Sequence, residues 1–89
     1  MKLFLNEVPI KYFYVGMKLI NIFGEISYVK DVNYSSSYGK GMLMAWEDDV
    51  NYTSVIYYSN LNFYETVEVV IGKCKILKAL LKEKVDHGL

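Results

Sequence analysis

A chain of 89 residues, 53% hydrophobic and 22% charged, has the composition of one folded domain and excludes a disordered chain. Its length allows a single small core that takes roughly 60% of the unfolded surface out of water. Ten lysines balance ten acids and arginine is absent, so the net charge is zero and the bidentate fork suited to phosphate and guanine is missing.

The first seventy residues alternate in the manner of strands, broken by turn signals at short spacing. "KLFL" and "IKYFYV" flank "NEVP" and are expected to pair as an N-terminal hairpin, with Pro9 at the edge or start of its second strand. "GMKLINI" is the next strand, re-aimed by Gly16, and "FGE" turns the chain into "ISYVKDVN". Alternation there separates Ile26, Tyr28, Lys30 and Val32 from Ser27, Val29 and Asp31. "YSSSYGKG", residues 34–41, reads as a long polar loop by its Ser and Gly content. "MLMAWE" follows as a strand with Met42, Met44 and Trp46 on one face and Leu43 and Ala45 on the other. Both faces are apolar, which suits a strand covered from two sides.

Glu47-Asp48-Asp49 is the one run of three acids. Adjacent strand residues point to opposite faces, so these carboxylates cannot converge on an ion from an extended segment, and the alternating spacing of a calcium loop is absent. Asp and Asn favour tight turns because they bond their own backbone, so the reading is a bend. "YTSVIYY" is then a strand, "SNLN" a short irregular plug and "FYETVEVVI" the closing strand. Gly72 interrupts the pattern, and residues 73–87 form a helix rich in Ala, Leu, Lys and Glu that Gly88 stops. Leu77, Leu80, Leu81 and Lys84 share one helix face, while Lys75, Lys78 and Lys82 form a second, solvent-facing stripe. Charge is unevenly spread: residues 1–70 carry five lysines against eight acids, a balance of −3, and residues 71–89 carry +3.

"VGMKLINIFGEISYVKDV", "MLMAWEDD", "VIYYSNL" and "VEVVI" give five short strands, a polar loop between the second and third, and a one-turn plug before the last. This order resembles an SH3-like small antiparallel β-barrel. It is similar to small barrel proteins of phages and prophages in AT-rich Gram-positive bacteria, and more loosely to KOW and Tudor barrels. The resemblance covers about residues 14–71 of a single domain, 1–89, with an N-terminal strand or hairpin and the C-terminal helix as additions. It implies a mainly β (α+β) fold and a binding or adaptor role without a cofactor, such as that of a phage accessory factor. No peptide-binding motif of SH3 domains matches residue by residue.

Little in the chain points to catalysis. The sole histidine, His87, lies two residues from the end, and with one cysteine it falls short of the three or four ligands a zinc site needs. "YGKGM" has neither the spacing nor the Ser/Thr of a phosphate loop. Cys74 cannot form an internal disulfide and reads as a small buried hydrophobe on the helix, which fits a cytoplasmic protein. "MKLFLNEV" is no signal peptide, and no apolar stretch is long enough to span a bilayer. "NYS" at 33–35 and "NYT" at 51–53 match glycosylation acceptors only by polar composition.

The expected function is therefore non-enzymatic protein–protein binding with no cofactor or metal. Tyr34, Tyr38 and Lys40 around the Ser-rich segment, with Tyr52, are the candidate contact residues, since aromatic side chains are favoured interface anchors. The alternative is nucleic-acid binding through Lys75, Lys78 and Lys82 with surface tyrosines as stacking platforms. An acidic body without arginine weighs against it. A third expectation is a homo-oligomer that covers the outer face of residues 42–46.

Overall fold

Period-two alternation yields β1 (Leu3–Phe4), β2 (Lys18–Ile20), β3 (Ile26–Ser36), β4 (Gly39–Trp46), β5 (Thr53–Tyr57) and β6 (Glu68–Val69). The Leu- and Lys-rich end yields the helix α1 (Lys75–His87). This is a computed structural model that describes residues 1–87. The expected stop at Gly88 lies outside the described residues. The strands form one open antiparallel sheet in the order β1-β6-β2-β3-β4-β5. The chain is thus mainly β with one C-terminal helix, and no described helix is long and apolar enough to cross a membrane.

Closure into a barrel is not achieved: β1 and β5 are the two edges, and neither bonds the other. Two physical reasons are visible. β1 and β6 have only two residues each, too few to carry a ladder round a cylinder. The span expected as the start of the last strand instead tightens into a 3-10 helix over Tyr58–Tyr64. That helix contains the expected plug and extends it through Phe63 and Tyr64.

The N-terminal hairpin is also corrected. β1 pairs with β6, Leu3 opposite Val69, and residues 10–12 form a 3-10 turn and not a strand. Leu5, Val8 and Phe13 are all buried, and the Leu5 N–H bonds the distant Val67 carbonyl at 2.8 Å instead of a neighbouring strand. Pro9, without an N–H, caps the turn, and its carbonyl accepts the Tyr12 N–H at 2.9 Å.

Residues 34–41 hold no long loop. β3 runs on to Ser36 and β4 starts at Gly39, leaving Ser37 and Tyr38 as the turn. The Ser36 hydroxyl accepts the Tyr38 N–H and bonds the Tyr57 hydroxyl at 3.0 Å, so serine here holds a hairpin end together. The register shifts twice between Val29 and Tyr34, which bends the strand. Val29 and Val32 thereby both reach the core, although simple alternation sets them on opposite faces. The Val32 carbonyl also accepts the hydroxyl of Tyr58.

Met42 and Met44 on β4 are fully buried with Met17, Leu19, Val29 and Leu77. Each such side chain stabilises the fold by about 1.5–3 kcal/mol. Leu43 and Ala45, on the other face, are only half-buried and lie outside this core, so the expected cover on both sides is not present.

The bend at the three acids is observed, and they part ways. Glu47 accepts the Tyr28 hydroxyl at 2.9 Å, while Asp49 caps its own turn by accepting the N–H groups of Asn51 and Tyr52. At the opposite side Lys84 of α1 bonds the Glu7 carboxylate at 2.7 Å and the Lys2 carbonyl at 2.8 Å, and Lys2 pairs with Glu68. Burial alone would raise Glu7, but the Lys84 ammonium and the Phe4 N–H outweigh it and hold the carboxyl below its usual range. Lys84 therefore does not face solvent with the other lysines; it ties the helix to the N-terminal segment.

Candidate binding cleft

The segment "KYFYVGMK", residues 11–18, leads into β2 and splits its apolar members, with Val15 exposed. Phe13 and Met17 are buried, and the Phe13 ring stacks on Tyr58 at 6.1 Å. Gly16, at φ 91°, permits the turn, and its N–H bonds the Val29 carbonyl at 2.8 Å. With Phe13 and Met17 committed to the core, Tyr12 and Tyr14 are left half-buried at the surface. Lys18, the first residue of β2, lies opposite Tyr28 in register, its ammonium 5.9 Å from that ring. Lys11 stands 5.0 Å from the ring of Tyr12. Both are favourable cation–π placements.

The other wall is the approach to α1. The Val70 N–H bonds the Lys18 carbonyl at 2.9 Å, and Gly72, at φ 51°, turns the chain past Lys73 into the helix. Between the walls lies a cleft of about 680 Å³ whose lining includes Lys11, Lys18 and Lys73 with Tyr12, Tyr14 and Tyr28, and no acid. Acids gather elsewhere: Glu25, Asp48 and Asp49 line a separate hollow of about 320 Å³ with Trp46 and Tyr52. The balanced net charge thus conceals a basic, aromatic cleft and an acidic rim.

Cys74 belongs to this cleft and is corrected from its expected place inside the helix. Its carbonyl accepts the first helical bond, from the Lys78 N–H at 3.0 Å, so Cys74 is the N-cap and half-buried. The nearby Leu77 N–H is the largest influence; with the Tyr14 hydroxyl and the Ile76 N–H it overcomes burial and holds the thiol below its ordinary value. Burial first, and then the thiol, raises Tyr14. A lowered thiol is ionised at a pH where a free cysteine is still protonated. Alkylation of Cys74 by iodoacetamide, followed against pH, should show its midpoint below that of free cysteine, and Tyr14→Phe should move that midpoint upward. An unshifted midpoint in the native protein would remove the assigned contacts.

The residues expected at the site fall into three groups that do not meet in the cleft. Tyr34, Tyr38 and Lys40 lie at the β3–β4 hairpin end, where Tyr38 is 83% exposed and its ring sits edge-on to Tyr57 at 6.3 Å. Tyr34 stands opposite Gly41 and Lys40 opposite Ser35, so their side chains leave opposite faces of the hairpin. Tyr52, 60% exposed, follows the acidic bend. Lys75, Lys78 and Lys82 are exposed on α1, beyond the cleft wall. The cleft residues carry a sequence signal all the same: a lysine followed by three aromatics at 11–14, with a second lysine at 18. Among the described residues no three His, Cys, Asp or Glu side chains are grouped to hold a metal ion. Comparison of the chain with protein-family models, curated proteins and solved structures returns no match.

Proposed function

We propose that this chain is a non-enzymatic binding domain that acts by protein–protein contact, with the cleft between residues 11–18 and the start of α1 as its contact face. The cleft carries this reading: three lysines and three tyrosines without an acid suit an acidic partner segment bearing an aromatic or apolar anchor. The strand order β6-β2-β3-β4-β5, with a 3-10 segment between β5 and β6, supports an SH3-like kinship and hence a binding role. The reading places the domain in the cytoplasm, consistent with one unpaired thiol.

Lys73 at the cleft and the exposed lysines of α1 make one basic tract, which favours single-stranded nucleic acid as a second reading. One experiment separates the two. The protein is immobilised, proteins captured from bacterial lysate are identified, and the capture is repeated with Lys11, Lys18 and Lys73 all changed to Ala. Loss of three charged contacts should weaken capture by about tenfold or more at unchanged melting temperature. Tyr34→Ala/Tyr38→Ala tests the hairpin end in parallel; loss only there would move the contact face to that end. A fluorescent oligothymidylate titrated at low salt should show no binding, whereas tight, salt-sensitive binding would favour the second reading.

A further inference from the structure

The sheet edge at β5 has none of the protections that edge strands usually carry. Its five residues, Thr53-Ser54-Val55-Ile56-Tyr57, include no charge, no proline and no glycine. β5 pairs only with β4, and among the described residues no backbone group from Thr53 to Ile56 bonds any other element. One side of this strand therefore presents free N–H and C=O groups to whatever can align with them.

What lies behind the edge is apolar as well. Val55 stands opposite Leu43 in register, with Thr53 opposite Ala45 and Tyr57 opposite Gly41 on the same face. Leu43, Ala45, Val55 and Tyr57 are half-buried and lie outside the core cluster. The two ends of β5 differ in charge. Glu47, Asp48 and Asp49 stand where it begins, and Lys40, one residue before the partner of Tyr57, stands where it ends.

From these features we infer that β5 pairs antiparallel with β5 of a second copy of this chain, about a two-fold axis at Val55. The charges decide the direction. Antiparallel pairing brings the acidic bend of each copy toward Lys40 of the other, while parallel pairing would set acids against acids. The strand is its own complement in this register: Val55 meets Val55, and Thr53 meets Tyr57. The two Leu43–Val55 patches then join into one larger face that neither copy can cover alone. A junction of one short strand from each side falls below about 1,200 Å² of buried surface, so the dimer is a weak one that forms with concentration. It uses a different surface from the basic cleft and stands independently of that reading.

Sedimentation of the full chain across micromolar to millimolar concentrations should show the average mass climbing from monomer toward dimer. Val55→Lys puts a charge on a half-exposed face, so the fold should be kept, as circular dichroism would report, while dimerisation weakens at least about tenfold. Geometry gives a second reading of the same contact. In a Cys74→Ser background, Val55→Cys should oxidise to a covalent dimer, whereas Thr53→Cys should not, because the axis holds the two 53 positions about 14 Å apart. A monomer at every concentration, a dimer that Val55→Lys leaves intact, or faster cross-linking at 53 than at 55 would each overturn the proposal. So would pairing at β5 only with an added extended peptide, which would make another protein's strand the occupant.

Discussion

Gly41→Ala should break the β4–β5 half of the sheet. A Cβ built at Gly41 would lie 2.4 Å from the Ile56 carbonyl oxygen and 2.9 Å from the Tyr57 Cα. Both are backbone atoms of the neighbouring strand, so no side chain can rotate away to make room. Either β5 moves off or β4 bends, and the ladder from Gly41↔Tyr57 to Ala45↔Thr53 is disturbed at its first pair. Overpacking of this kind costs about 3 kcal/mol. For a chain of this size that is a fall in melting temperature on the order of 15 °C, measurable by thermal circular dichroism. Loss of less than a third of that would mean the strands separate there without penalty.

Leu77→Ala should undock α1. Leu77 is the helix's one fully buried side chain; Leu80 and Leu81 beside it are half-buried, and Lys84 supplies the polar tie at the far turn. Truncation removes the transfer energy of the side chain and leaves a void, together about 3 kcal/mol. The loss should appear in two readouts, a lower melting temperature and weaker helical ellipticity before the main transition. The cleft depends on the same anchor, since Lys73, Cys74 and Ile76 form one of its walls. A variant that melted at the native temperature would place the helix's stability in Lys84 and the half-buried leucines.

What the sequence disclosed follows the reach of each signal. Local signals held: Asp49 bends the chain as Asp does, Gly24 at φ 78° serves the turn after β2, and the leucine face of α1 finds the core. Signals that depend on distant partners failed. "KLFL" looks ready to pair with its neighbour, yet its hydrogen-bonding partner is residues 68–69, and nothing local names a partner so far along the chain. "YSSSYGKG" reads as loop because Ser and Gly are usual in loops; here the Ser36 hydroxyl and Gly41's close approach to β5 serve a hairpin. The cleft is hard to read from the sequence for a related reason. Its tyrosines are surface residues only because Phe13 and Met17 take the core positions between and beside them, and the register shifts in β3 that shape the sheet leave no mark in composition.

The pairing of β1 with β6 also sets a timetable for the chain as it is made. Leu3 must wait for Val69 before it gains its strand partner, and Leu5 likewise waits for the Val67 carbonyl. At ribosomal speeds of about 5–20 residues per second, that interval is roughly three to thirteen seconds. Meanwhile the hairpin of residues 26–46 can close on neighbours alone, so Leu3 and Leu5, made before that hairpin, gain their partners after it can form.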